Sequence, residues 1–165
     1  MTALNIARAE LERGAGELGC DNGGPDVAVY HGRRYVPGKS YGHWCAAFVS
    51  WCLLQAGWLP AIVRGAKRLC RDAAAAGRWV YQPRTLRAPR ELMQPMAGDV
   101  VTWHRGAPGS WWGHTAFVEA YDAASDTMVT VEGNAARFPC RVVRKTYSSG
   151  TWRRRLYGIA RPRTA

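Results

Sequence analysis

Leu4, Ala7 and Leu11 recur at helical spacing between Thr2 and the glycines at 14 and 16, which predicts a helix over residues 2–13 with Thr2 as its N-cap. The next stretch, GCDNGGPD (19–26), is dense in turn formers and predicts a loop. A second apolar run predicts a helix from Trp44 to Ala56, stopped by Gly57. Residues 44–63 carry no charge, but Gln55, Gly57 and Pro60 hold this helix to roughly thirteen residues, short of the ~20 a bilayer span requires. A third helix is predicted over AIVRGAKRLCRDAAAA (61–76), ending at Gly77, and the Pro- and Arg-rich residues 81–97 read as a connecting loop. From Gly98 the period changes to that of short strands: DVVTW, HTAFVEAY, TMVTVEG, RVVRKTY and LYGIA. Helices first and a meander of strands after predict an α+β domain.

The strand pattern brings chemistry together. If HTAFVEAY and TMVTVEG form a hairpin around the five-residue turn DAASD, Tyr121 pairs with Thr127 and even-numbered residues pair with even. His114, Ala116 and Val118 then share a face with Met128, Thr130 and Glu132, and Asn134 falls opposite His114. A thiol is available on the other half of the chain, because YGHWCAAFVSWCLLQAGW sets Cys45 where a loop turns into a helix. Unpaired N–H groups and the positive end of the helix dipole favour a thiolate there. Cys52, seven residues on, reads as a core side chain. By itself Cys45 reads as one more small buried residue; it needs a base, and His114 with Glu132 or Asn134 behind it supplies one. His31, His43 and His104 read as loop or strand-end residues.

Charge and cysteine count narrow the setting. The chain has 165 residues and a formal net charge of +11. After Glu132 there is no acidic residue, while Arg137, Arg141, Arg144, Lys145, Arg153, Arg154, Arg155, Arg161 and Arg163 follow. Such a field attracts polyanions: nucleic acid, anionic lipid or acidic envelope polymers. The five cysteines are spaced 25, 7, 18 and 70 apart, with no C-x-x-C pair and no zinc spacing. Neither a structural metal nor a full disulfide framework is expected, and the state of Cys20, Cys70 and Cys140 is left open. MTALNIARAELERGAG lacks the basic start and apolar run of a secretory signal.

Five ordered segments, WCAAFVSWCLLQAG, AGDVVTWHRG, GHTAFVEAYD, TVEGN and LYGIARP, together with GELGCDNGGPDVAVY near the start, resemble the CHAP family. These are cysteine- and histidine-dependent amidohydrolases and peptidases of papain-like fold. The resemblance spans residues 15–162 and implies one catalytic domain over 1–165. Carried over by motif, it implies Cys45 as nucleophile, His114 as general base, Glu132 as the group orienting it and Asn134 as an assisting hydrogen-bond partner. Two departures stand out. The run YHGRRYVPGKSYGHW contains no carboxylate, so no calcium and no other cofactor is expected, and Trp44 precedes the cysteine where many phage members have glutamine. The Cys45 backbone N–H is then the first oxyanion donor expected, with Tyr41 or His43 as candidates for the second.

The resemblance further implies cleavage of an amide bond in bacterial peptidoglycan, by an endopeptidase or an N-acetylmuramoyl-L-alanine amidase. The run Arg153, Arg154 and Arg155 lies outside every matched segment and is expected to draw a monomeric enzyme to anionic envelope polymers. The expected settings are a phage endolysin that passes from host cytoplasm through a holin to the wall, a lysin carried by the virion, or an injected effector. The alternatives are a thiol acyltransferase, or an inactive scaffold whose basic, Trp-rich surface binds nucleic acid; no nucleic-acid motif is present, so the latter partner is not expected.

Overall fold

A computed structural model describes residues 1–81, 94–107 and 109–162. Its helices are α1 (Ala3–Glu12), α2 (Pro25–Tyr30), α3 (Cys45–Gln55) and α4 (Ala66–Ala75). Its strands are β1 (Trp79–Tyr81), β2 (Val100–His104), β3 (Gly113–Asp122), β4 (Thr127–Glu132), β5 (Val143–Tyr147) and β6 (Leu156–Ala160), with a 3-10 turn at Thr151–Arg153 before β6. The strands form one antiparallel sheet in the order β1-β6-β2-β3-β4-β5. This is an α+β, papain-like arrangement, with helices packed on the sheet.

Thr2 caps α1 as its sequence predicts, its hydroxyl accepting from the Asn5 N–H at 3.2 Å. The helix ending at Gln55 needs a left-handed residue after its C-cap, and Gly57 at φ +77° provides it without a Cβ clash. Two elements depart from expectation. Inside the Gly-rich loop, Pro25 sits in the first turn of α2, where a missing N–H costs nothing. α4 begins at Ala66, five residues later than the pattern suggested. Residues 82–93, most of the expected connecting loop, lie outside the described residues.

Alternation along the strands divides two cores. Val100, Phe117, Val131 and Ala160 face the helices and join Trp44, Phe48, Val49, Cys52 and Tyr30. Val101, Ala116, Val118, Met128 and Ile159 face the other way, where Trp103, Trp152 and Leu156 cover them. α3 is the central helix: Cys45 through Ser50, Cys52 and Leu53 are all buried, so it presents an apolar surface on nearly every side rather than on one stripe. Full burial of Phe48 or Val49 contributes about 1.5–3 kcal/mol each.

The β3–β4 hairpin is tighter than predicted near its turn. Asp122 pairs with Thr127 and Tyr121 with Met128, so the pairing starts one residue off. An irregularity between Val118 and Ala120 absorbs that residue, and Val118 pairs with Thr130 and Phe117 with Val131. A bulge adds one residue to one strand and restores the in-out alternation beyond it. His114 and Glu132 therefore end on the same face, as the even-with-even parity required.

Candidate active site

Cys45 is the first residue of α3, and its position is set by its neighbour. Trp44 is the N-cap and gives no side-chain cap, so the first-turn N–H groups are left for whatever sits in front of the thiol. Trp44 itself is fully buried and clamped. Its indole N–H donates to Glu17 Oε1 at 2.9 Å, while Glu17 Oε2 accepts from the Cys140 N–H at 2.8 Å. The ring stacks on Tyr30 with centroids 5.8 Å apart and passes close over Gly133, where a Cβ would lie 2.5 Å from Trp44 Cζ3. Only glycine admits the indole there.

His114 is the second residue of β3, paired in register with Trp103 and stacked on its ring at 5.9 Å. Its Nε2 lies 2.8 Å from Glu132 Oε2. Glu132, at the end of β4, is fully buried, and its other oxygen accepts from Thr130 Oγ1 at 2.6 Å and from the Tyr147 hydroxyl at 2.7 Å. These bonds commit both carboxylate oxygens and fix the imidazole plane. His114 Nδ1 is buried without a hydrogen-bond partner in this geometry, and the Cys45 thiol is the group it couples to.

The electrostatics follow from that chain of contacts. Burial pushes the Cys45 thiol up, but hydrogen bonding and charge from His114, the Thr115 backbone and the positive charge of Arg105 outweigh it, and the thiol falls below its ordinary range. Burial pulls His114 down, and Cys45 and Glu132 together raise it above the usual imidazole range. Burial pushes Glu132 up, and His114, Thr130 and Tyr147 hold it well below the usual carboxylate range. The three shifts run in the directions that favour a thiolate, an imidazolium and a carboxylate. In contrast, burial pushes Cys52, Cys70 and Cys140 up, Cys70 to about 12. All five cysteines, Cys20 included, are free thiols.

The family model for the CHAP domain matches residues 34–134, more than half of the chain. The chain belongs to the CHAP domain family. The crystal structure of Ly7917 resembles this CHAP chain at 21% identity with a TM-score of 0.53, covering 98% of this chain and 62% of that one. A second structure, Ly7917 with the hydrolyzing product of MDP, matches equally at 21% and 0.53, covering 97% and 62%. The CHAP chain thus spans less than two thirds of that protein's length. No curated protein matches it.

The other residues singled out in the CHAP sequence fall in several places. Asn134, at φ +56°, is not on His114; its side-chain amide lies 3.4 Å from His43 Nδ1. Tyr41 is removed as an oxyanion donor, because its hydroxyl donates to Arg34 O at 2.9 Å and accepts from the Val36 N–H at 2.8 Å. His43 is exposed beside Trp112, with ring centroids 5.8 Å apart. His31, read from sequence as a loop residue, is buried behind α2 and stacks on Tyr41 at 6.2 Å.

The arginine run also divides. Arg153 is bound into the fold, pairing with Asp126 at 3.0 Å and lying 4.1 Å over the Trp152 ring, so its charge is already matched. Arg154 and Arg155 line a cleft that His114 also lines, which corrects the expectation that the run stands apart from the site. Sequence reading did not single out Glu17, Tyr147 or Arg105. Their partners lie far along the chain, 27 residues away for the Glu17–Trp44 bond and 15 for Tyr147–Glu132, and no local spacing announces them. Among the described residues no group of three His, Cys, Asp or Glu could hold a metal ion, and no helix is long and apolar enough to cross a membrane.

Proposed function

We propose that this chain is a cysteine hydrolase that cleaves an amide bond of bacterial peptidoglycan through a thioester on Cys45. The observation that carries the proposal is the buried run from Glu132 through His114 Nε2 to Nδ1 and the thiol, with the charges aligned for a thiolate. Membership of the CHAP family supports it, as does the likeness in fold to Ly7917, itself solved with the hydrolyzing product of MDP.

The thiolate attacks the amide carbonyl carbon, and the C=O pair becomes an oxyanion. The Cys45 backbone N–H, at the uncapped start of α3, stabilises that oxyanion. His43 is the second donor: with its Nδ1 accepting from Asn134, the ring proton sits on Nε2. His114 Nδ1–H protonates the leaving nitrogen, the C–N bond breaks, and a thioester and a free amine result. Water then attacks the thioester with His114 taking its proton, giving a carboxylic acid and restoring the thiolate beside a protonated His114. Glu132 remains ionised throughout and holds the imidazole for both transfers.

In this reading the residues from Ala3 to Ala160 form one catalytic unit, since Ala3, Leu4 and Ala160 enter the same core. A wall-degrading role of the endolysin or virion-lysin kind suits that chemistry. Incubation with purified peptidoglycan followed by mass spectrometry of the fragments tests it. New amino and carboxyl ends in equal number are expected, and their positions name the bond. Fragments joined by new amide bonds would mean acyl transfer, and unaltered peptidoglycan would refute the reading.

A further inference from the structure

The basic residues after Glu132 are mostly spent on the fold. Arg141 donates to Gly14 O, Arg144 pairs with Glu119, Lys145 donates to Ala135 O at 2.8 Å, Arg153 pairs with Asp126 and Arg161 pairs with Asp99 at 2.8 Å. Among the described residues this leaves Arg137, Arg154 and Arg155, all exposed and without an ion pair. None of the three is scattered over a distant face. Arg137 lines an open cleft with His43 and Asn134; Arg154 and Arg155 line another of about 240 Å³ with His114, Tyr147 and Thr151. Arg105 lines both clefts, and its charge reaches the Cys45 thiol and Tyr147.

The two clefts share Arg105, and only the second is lined by His114 itself; their chemistry differs. The cleft on the Asn134 side carries a carboxylate, Asp21, beside its arginines. The cleft on the His114 side holds Arg105, Arg154 and Arg155 and no acidic lining residue. Glu132 lies behind His114, fully buried and fully hydrogen-bonded, so it neutralises none of them. Arg154 follows the 3-10 turn whose Trp152 is anchored to Asp126 at 3.0 Å, and Arg155 is held by its own carbonyl, which accepts from the His104 N–H at 2.7 Å. Their backbones are fixed and their guanidinium groups are unmatched.

The direction of the reaction assigns the cleft. The leaving nitrogen must receive its proton from the imidazole, so the amine side of the substrate lies on the His114 side. We propose that Arg105, Arg154 and Arg155 bind a free carboxylate on the amine-side portion of the substrate, making the enzyme selective for stem peptides whose carboxylates are not amidated. Guanidinium groups bind carboxylates through paired, charge-assisted hydrogen bonds, which a neutral carboxamide cannot match. This selectivity rests on the peptidoglycan reading above, and it concerns binding as well as rate.

The test uses a synthetic stem tetrapeptide with its carboxylates free and the same peptide with each converted to carboxamide. Calorimetric binding of both to Cys45→Ala, and to Cys45→Ala carrying Arg154→Gln and Arg155→Gln, reads the subsite without turnover. Cleavage of the matching disaccharide peptides by the parent reads the reaction. A preference of about tenfold or more for the free acid is expected, from the strength of a charged over a neutral hydrogen bond, falling towards equality when the arginines are replaced. Arg154→Gln alone, at an exposed side chain, repeats the measurement should the double variant fail to fold. Equal binding of acid and carboxamide, or a preference that survives the loss of both arginines, would overturn the subsite even if cleavage is seen. Acid-selective binding without cleavage would uphold the subsite and overturn the peptidoglycan reading instead.

Discussion

Replacing Glu132 by Gln removes one charge and almost no volume, and the structure allows its effect to be worked out. The carboxylate lies 2.8 Å from His114 Nε2, which puts the two charge centres ~4 Å apart. At an effective dielectric constant near 20 that interaction is about 4 kcal/mol, and it favours the imidazolium. A glutamine oxygen retains part of it by accepting the Nε2–H, but its NH2 must then face the hydroxyls of Thr130 and Tyr147, both of which donate to the carboxylate in the parent. About half of that interaction, ~2 kcal/mol, is therefore expected to be lost, which lowers His114, raises Cys45 and reduces the thiolate–imidazolium pair by roughly thirtyfold. The assay is the rate of Cys45 alkylation against pH, read by mass spectrometry of the labelled peptide, with peptidoglycan cleavage followed in parallel. In the parent the thiolate should persist below the ordinary thiol range, and activity should fall on the alkaline side only above the ordinary imidazole range, since Cys45 is lowered and His114 raised. In Glu132→Gln both limbs move together towards ordinary values. Parental alkylation and cleavage profiles in the variant would refute the reasoning.

Three further outcomes separate structure from chemistry. Cys52→Ala should lower stability by ~1 kcal/mol or more in thermal unfolding and leave cleavage at the parental rate, because Cys52 is fully buried in mid-helix. His31, lowered to about 4 by burial, contributes stability that is complete above the unfolded value near 6.5 and lost as pH falls through about 4. Denaturant unfolding should thus lose about 3 kcal/mol across that window, and His31→Phe should flatten the loss. Treatment with EDTA should leave peptidoglycan cleavage unchanged, as a run before Cys45 without carboxylates leads one to expect, and activity lost on chelation but restored by calcium would contradict that expectation.

What the sequence revealed was what local pattern encodes. The Thr2 cap, the apolar run of α3 and the alternation of β2 to β6 are properties of neighbouring residues, and each marks its element directly. The parity of His114 and Glu132 was legible for the same reason, although the bulge between Val118 and Ala120 that preserves it was not. α2 was hidden because Gly23, Gly24 and Pro25 read as turn formers, while Val27, Ala28 and Tyr30 owe their burial to packing against α3. The partners of single polar groups were the least legible. Trp44 needs Glu17, Glu132 needs Tyr147, and Arg153 is taken up by Asp126, all through pairings that exist only once the chain is folded. A count of charges accordingly assigned Arg153 to an external polymer, and only the folded geometry distinguishes it from Arg154 and Arg155.

The central claim is that the Cys45 sulfur is the attacking atom, and counting new amino and carboxyl ends released from purified peptidoglycan by the parent and by Cys45→Ala tests it most directly. Cys45 occupies the first turn of α3 with its thiol lowered, whereas the buried thiols of Cys52, Cys70 and Cys140 are raised and cannot substitute for it. The account predicts ends released in equal number by the parent and none above background from Cys45→Ala, with the circular dichroism of the two proteins superimposable. Release by Cys45→Ala at the parental rate would contradict it.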